Sequence, residues 1–115
     1  MNVHLINQKA TPQQMREMLQ SLESYIKLAV DIERKVIVGG GILHADCESL
    51  LLEDGSEQEN IWGADWLPST QQVTYESLIN IRPRQKNFAL EIENPKLKQL
   101  IKKIVIKLSG GVAHE

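Results

Sequence analysis

The stretch TPQQMREMLQSLESYIKLAVDI, residues 11–32, changes its hydrophobic period from that of a helix to that of a strand. In its first half the apolar residues recur three or four positions apart, at Met15, Met18, Leu19 and Leu22. Thr11 suits an N-cap, Pro12 suits the first helical position, and Gln14 completes a capping box. In its second half every other residue is apolar, at Ile26, Leu28, Val30 and Ile32. The stretch therefore predicts a helix over 12–23 and then a strand with one apolar face.

The flanking sequence adds two strands and a second helix. Residues 2–6 alternate briefly like a strand, and residues 36–38 begin a partner strand that the three glycines at 39–41 should end. Residues 42–54 fit two templates. Read as a strand, they place His44, Asp46 and Glu48 on one face; read as a helix, they form an apolar stripe at Leu43, Cys47, Leu50 and Leu51. We choose the helix, because Gly55 is a suitable residue just past a helix end.

The next part of the chain predicts two or three more strands. Residues 60–66 read as a strand. The alternation over 73–82 predicts a long strand that pairs with it as a hairpin, until Pro83 stops it. Residues 88–92 are a candidate for one more short strand.

The last element is a helix, and with it the fold class follows. Asn94 is a candidate cap, Pro95 takes the first helical position, and an apolar face runs to Leu108. We expect the polar tail 109–115 to be frayed. Three one-sided helices and strands with one apolar face predict an α+β fold: a two-layer sandwich with a mainly antiparallel sheet of four to six strands packed against three helices. The length predicts a single domain, residues 1–115.

Composition narrows the class of protein. Hydrophobic residues make up 42% and charged residues 24%, which is typical of a globular domain rather than a disordered chain. No apolar run approaches the roughly 20 residues of a membrane span. The formal net charge of −2 argues against a dominant nucleic-acid-binding surface. Because there is one cysteine and no signal-peptide pattern, we expect a cytoplasmic protein.

The segment 44–48, His-Ala-Asp-Cys-Glu, has the residue types of a metal site. His44 and Glu48 would share one flank of a helix, and Cys47 lies three residues after His44. However, Cys47 falls in the apolar stripe, where a cysteine is more often a small hydrophobe than a ligand or a nucleophile. We therefore expect a solvated helix flank and an inert thiol, with no metal and no other cofactor. His44, Asp46 and Glu48 stay candidates for ligand binding.

The glycines at 39–41 allow two interpretations. Ahead of a helix, they could let an anion approach the backbone and the free N–H groups of the first turn. No lysine and hydroxyl residue of a P-loop follows them. A tight or bulged connection is therefore favoured.

Both tryptophans lie on one face of the predicted strand 60–66. Trp62 and Trp66 flank the small Ala64. Such a pair can form a stacking platform or an interface hot spot. The alternative, which we favour slightly, is that they pack beneath a helix, because the chain has only five aromatic residues for its core.

The loop 82–87, Arg-Pro-Arg-Gln-Lys-Asn, concentrates three cations and two amides. Arginine suits bidentate recognition of carboxylate or phosphate; the alternative is a solvated turn, and the two interpretations are close. The binding candidates in this region are Asp65, Arg82, Arg84, Gln85 and Asn87. The last helix carries five lysines, at 96, 98, 102, 103 and 107. For these lysines the solvated side of an amphipathic helix is favoured.

The chain resembles a family of small prokaryotic proteins of unknown function. The segments that carry the resemblance are AVDIE at 29–33, GGG and HADCE within 39–48, LLEDGS at 51–56, IWGADW at 61–66 and SLINIRPRQ at 77–85. The resemblance covers nearly the whole chain and implies a free-standing domain of this length. It implies no activity, so no catalytic residue is carried over.

Two hypotheses of different classes follow. The first is a small binding or interaction module that recognises another protein through the tryptophan strand and its neighbouring loops, and that we expect to form a homo-oligomer. The second is a small enzyme, or a protein that binds a metal or a small anionic ligand such as phosphate, with a polar pocket around His44, Asp65 and Arg82. A third option, nucleic-acid binding through the arginine loop and the last helix, is disfavoured by the net charge, and we expect no membrane partner. The second requires the His44 group and the Arg82 loop to lie on the same side of the sheet.

Overall fold

The computed structural model of the chain describes residues 2–115 and contains five strands and three α-helices in that range. The strands are β1 (His4–Ile6), β2 (Ile26–Asp31), β3 (Val36–Gly41), β4 (Ile61–Leu67) and β5 (Gln72–Thr74). The helices are α1 (Pro12–Leu19), α2 (His44–Glu53) and α3 (Pro95–Ser109). None of these helices has the length and apolar character that crossing a membrane requires.

All five strands belong to one open sheet, in the order β1-β3-β2-β4-β5. Every neighbouring pair is antiparallel, with β2 at the centre between β3 and β4. This confirms the predicted α+β class, with an antiparallel sheet of four to six strands packed against three helices.

The helices lie on both faces of the sheet, so the molecule has three layers where we expected two. On one face, α1 and α3 pack over side chains that include Leu28 and Val30. On the other, Cys47 and Leu51 of α2 pack over Ala29 and its neighbours. Successive residues of a strand point to opposite faces, so β2 is apolar on both. The sequence pattern missed the second face because Ala29 is a small residue between Lys27 and Asp31.

The helix boundaries follow the predicted caps. In α1 the side chains of Thr11 and Gln14 form the expected capping box. This helix ends at Leu19 rather than at 23: the N–H of Gln20 bonds the Glu17 carbonyl, three residues back, at 3.2 Å, and Glu23 adopts a left-handed φ of 68°. Asn94 caps α3 as predicted. The helical reading of residues 42–54 is confirmed by α2.

The three glycines lie inside β3 and do not end it, which corrects the predicted end of that strand. Lys27 pairs with Gly41 and Leu28 with Gly39, so Gly40 is the extra residue of a β-bulge. Its φ of +103° favours glycine, and a Cβ there would approach the backbone oxygen of Asn2 at 2.0 Å. The bulged interpretation of this run is therefore the correct one.

The predicted hairpin is confirmed, because β5 pairs antiparallel with β4, but the predicted length of its second strand, 73–82, is wrong. Strand β5 ends at Thr74, and beyond it the chain forms two short 3₁₀ turns, Leu78–Asn80 and Pro83–Gln85. The candidate strand at 88–92 reduces to a single bridge between Glu76 and Glu91.

An asparagine side chain replaces the missing strand along part of β4. Asn80 is fully buried; its Oδ1 accepts from the N–H of Gly63 at 2.8 Å, and its Nδ2 donates to the Gly63 carbonyl at 3.0 Å. One side-chain amide thus makes the two bonds that a neighbouring strand would make. The backbone groups of Gly63 at the edge of β4 therefore have hydrogen-bond partners without a continuous strand beside them.

The chain after α3 returns to the body of the molecule. Ser109, the last residue of α3, is buried, and Val112 packs into the core beneath α1 and α3. The N–H of Gly111 donates to the side chain of Gln71 at 2.7 Å.

Candidate functional site

Two adjoining pockets open on the α2 face of the sheet, between α2 and the irregular segment 76–90. The histidine pocket, of about 350 Å³, is lined by Lys27, Leu43, His44, Ala45, Asp65, Glu76, Ser77, Leu78, Ile79 and Leu90. The arginine pocket, of about 740 Å³, is lined by Glu48, Gln58, Glu59, Leu78, Ile79, Ile81, Arg82, Pro83, Arg84 and Gln85. Leu78 and Ile79 line both pockets. The His44 group and the Arg82 loop therefore lie on the same side of the sheet, as the second hypothesis requires.

A histidine–aspartate pair lies in the histidine pocket. His44 is the first residue of α2, and its Nε2 lies 2.8 Å from Oδ1 of Asp65 on β4 and 3.0 Å from the carbonyl oxygen of Ala64. Both partners are acceptors, so we assign the proton to Nε2. The hydroxyl of Thr74 donates to the other Asp65 oxygen at 3.2 Å. The two side chains of the pair are only 10% and 16% exposed.

Asp46 does not join this pair. Its Oδ2 accepts from the backbone N–H of Leu43 at 3.1 Å, so it closes the first turn of α2. Among the binding candidates on α2, His44 and Glu48 reach the two pockets and Asp46 lines neither.

Arg82 is held by backbone carbonyls at the edge of the sheet. Its guanidinium donates to the carbonyls of Ile79 at 3.0 Å, Gln58 at 2.9 Å, and Ile61. It also lies over the ring of Trp62, 4.6 Å from the centroid. Burial lowers the pKa of Arg82 from its ordinary value, and the nearby Glu48 carboxylate opposes this shift. The Arg82 guanidinium therefore holds the loop against β4, and these N–H groups are already bonded within the protein.

Glu48 is the nearest acid to Arg82. Its Oε2 lies 3.6 Å from the guanidinium nitrogen, beyond hydrogen-bond distance, with 13% of its side chain exposed. This oxygen has no hydrogen-bond donor among residues 2–115. Glu48 therefore lines the arginine pocket with a carboxylate whose Oε2 is buried beside Arg82.

Asn87 is used entirely in holding the loop. Its Nδ2 donates to the carbonyls of Asn80, Ala89 and Glu91 at 2.8, 3.0 and 3.1 Å, and its Oδ1 accepts from the N–H of Glu93 at 2.8 Å. It is 3% exposed. The prediction of Asn87 as a binding residue therefore has no free polar atom to support it.

The other two loop candidates differ in their freedom. Gln85 is engaged: its Oε1 accepts from Arg82 and its Nε2 donates to the Glu59 carbonyl at 2.9 Å. Arg84 is exposed, lines the arginine pocket, and makes no ion pair or side-chain hydrogen bond within the described part of the chain. Arg84 is therefore a cation of this loop that a ligand or partner could reach.

Both tryptophans are buried, as the favoured interpretation had it. Trp62 is 4% and Trp66 1% exposed, and both pack into the core under α1 and α3. Because both rings are buried, they form no exposed platform on which a partner could stack.

Cys47 is a buried thiol in a weak hydrogen bond. Its Sγ donates to the Lys27 carbonyl at 3.4 Å. Burial raises the pKa of this thiol from an ordinary 9.0 to about 11, so it stays protonated at neutral pH. Among residues 2–115 no group of three or more histidine, cysteine or acidic side chains could hold a metal ion.

Exposed apolar side chains surround the two pockets, and sequence reasoning missed them. We call Leu43, Leu78, Ile81 and Leu90 the leucine surface; they are 55%, 78%, 44% and 41% exposed and all line one pocket or both. The alternation over 73–82 assigned Leu78 and Ile81 to opposite faces of a strand. No pattern in the sequence signals that the strand is absent and that both side chains face outward.

The chain belongs to a family of proteins of unknown function. Residues 4–108 match the family model described as "Protein of unknown function (DUF5674)". No curated protein and no solved structure matches the chain.

Proposed function

We propose that this protein is an interaction module that pairs with a second copy of itself through the leucine surface. The observation that carries the proposal is the set of four exposed apolar side chains around two adjoining pockets. Complete burial of a fully exposed leucine gains about 1.5–3 kcal/mol. These side chains are 41–78% exposed, so each would gain part of that amount when the surface is covered. Adjoining exposed apolar groups rimmed by polar residues are typical of protein interaction sites.

The chemistry of the rim favours a second copy as the partner. Glu59 and Arg84 line the arginine pocket, and Lys27 and Glu76 line the histidine pocket. A two-fold axis brings the same patch of both subunits together, so each residue meets a different residue of its own surface. A patch that carries both signs of charge can then match acid to base across the axis, which a patch of one sign cannot do.

Buried polar pairs beneath the surface support a fixed shape for it. His44 with Asp65 ties α2 to β4. Asn80 ties the irregular segment to Gly63 of β4, and Asn87 bonds the Asn80 carbonyl within that segment. Apolar groups held on such a scaffold lose little freedom on association, which lowers the entropic cost of binding.

The test is sedimentation equilibrium of the wild type and two matched variants. Leu78→Gln removes the most exposed member of the leucine surface, and Leu52→Gln changes a leucine of α2 that is 42% exposed and lines neither pocket. Each substitution appears twice in a two-fold dimer, so Leu78→Gln should raise the dimer dissociation constant by at least about tenfold. Leu52→Gln should leave it within about twofold. A wild type that is monomeric throughout, or two variants that weaken association equally, would contradict the proposal.

A second candidate function rests on the arginine pocket. Arg84 brings to one cavity of about 740 Å³ a cation that has no acidic partner among residues 2–115, and the Glu48 carboxylate lines the same cavity. A small ligand with an anionic group would satisfy Arg84. His44 with Asp65 in the adjoining pocket is a pair suited to proton transfer if such a ligand reacts. Native mass spectrometry that finds a monomer with added mass, lost in Arg84→Gln, would favour this function over the dimer.

A further inference from the structure

A third pocket, on the opposite side of the molecule from the leucine surface, collects lysines from three separate segments. It has a volume of about 450 Å³ and is lined by Asn7, Gln8, Lys9, Lys35, Leu100, Lys103, Ile104, Lys107 and Leu108. No acidic residue of the described range 2–115 lines it. Four lysines therefore line one cavity in a chain whose net charge is −2.

Three of these four lysines have no hydrogen-bond acceptor for the ammonium group within residues 2–115. Lys9 donates to the carbonyls of Ile106 at 3.3 Å and Gly110 at 2.8 Å and so caps α3. The ammonium groups of Lys35, Lys103 and Lys107 make no ion pair and no hydrogen bond within residues 2–115. The α3 dipole favours a cation in the last turn of the helix, which accounts for Lys107. This interaction does not account for Lys35 or Lys103.

Like charges gathered in this way repel one another. Lys103 and Lys107 are four residues apart on α3, and such pairs of equal sign destabilise a helix. Lys35 adds a third cation from the turn between β2 and β3. A ligand with two or more negative charges would remove this repulsion and gain charge-assisted hydrogen bonds.

We propose that this pocket, the lysine pocket, binds a small phosphorylated molecule. The ammonium groups of Lys35, Lys103 and Lys107 supply the donors for a phosphate or pyrophosphate group. Leu100 and Ile104 supply an apolar wall for the rest of the ligand. Asn7 and Gln8 add exposed amides beside the cations. A compact cavity suits a small polyanion better than a nucleic-acid duplex, whose charges need a long basic surface.

The experiment is titration of the intact protein with inorganic pyrophosphate, followed by amide NMR shifts, at low and at physiological ionic strength. Two neighbouring lysines of α3 provide a matched comparison. Lys103 lines the pocket and Lys102 does not, both are exposed, and glutamine preserves helix propensity at either position.

Saturable shifts are expected at residues around the pocket. Lys103→Gln should weaken pyrophosphate binding by about tenfold, because it removes a direct charged donor. Lys102→Gln should change it by less than about twofold, because only long-range attraction is lost. Equal weakening by both variants, or no saturable binding at low ionic strength, would overturn the proposal. Displacement of pyrophosphate by a DNA duplex with a steep salt dependence would also overturn it, in favour of a nucleic-acid site.

Discussion

The two faces of the sheet differ in what their side chains do. Under α1 and α3 the core is large and apolar, and it contains both tryptophans. Under α2 the core is a small cluster around Ala29 and Cys47, beside which lie His44 with Asp65 and Glu48 with Arg82. One face is built to be stable, and the other accepts the cost of buried polar groups. Self-association is therefore to be sought on the α2 face, where polar pairs and exposed leucines meet.

The largest expected effect falls on the apolar face. Trp66→Ala removes a ring that is 1% exposed and leaves a cavity beneath α1 and α3, so it should lower the free energy of unfolding by about 4–5 kcal/mol. Urea unfolding followed by circular dichroism measures this loss. A loss below about 1 kcal/mol would break the comparison, because the apolar face would then not carry the stability.

The next effect concerns the asparagine that replaces a strand. Asn80→Ala leaves the N–H and the carbonyl of Gly63 without partners and should cost about 3 kcal/mol. Asn80→Asp, which keeps an acceptor for the N–H but loses the amide donors, should not restore stability fully. Urea unfolding of both variants checks this order. An Asn80→Ala protein as stable as the wild type would mean that water satisfies the Gly63 groups.

The buried thiol under α2 gives a pH-dependent effect. In the unfolded chain Cys47 loses its proton near its ordinary pKa of 9.0, whereas the folded chain holds it to about 11. The unfolded state therefore binds fewer protons in between, so the free energy of unfolding should fall by about 2 kcal/mol as pH rises from 9 to 11. Urea unfolding across this range should show a shallower fall for Cys47→Ala. Parallel curves for the two proteins would contradict burial of the thiol.

The smallest effect on stability is expected at the leucine surface. Leu78 is 78% exposed, so Leu78→Gln should change the free energy of unfolding of the monomer by less than about 0.5 kcal/mol. Thermal unfolding at a concentration where the protein is monomeric measures this. A large loss would show that Leu78 belongs to the core and would remove the contrast between the two faces.

Much of the fold is predictable from local signals. Thr11 with Pro12 and Asn94 with Pro95 marked two helix starts, and the period-2 pattern marked β2. These signals involve residues that are close together in the chain, so they can be recognised in a single sequence. The number of layers was not predictable in this way, because it depends on how Ala29 and its neighbours meet a helix distant in the chain.

The incorrect predictions about the site have a common cause: residue type and periodicity do not show which atoms a polar side chain will bond. The alternation over 73–82 is genuine, but the Asn80 side chain satisfies β4 in place of a strand, and periodicity does not detect bonds from side chain to backbone. The pairing of His44 with Asp65 depends on where α2 crosses β4, 21 residues further along the chain. The candidates Arg82 and Asn87 were found by residue type, yet most of their polar atoms hold the loop. Type alone does not distinguish a ligand-binding group from a structural one.

Amide NMR spectra recorded over a concentration series locate the surface of self-association residue by residue. From dilute protein to about 1 mM, pairing through the leucine surface should cause shifts or broadening confined to residues 43–45 and 76–90, with α1 and α3 unchanged. Changes that fall on α1 or α3, or spectra that stay constant over the whole series, would contradict the claim that the α2 face is where this protein binds its own copy.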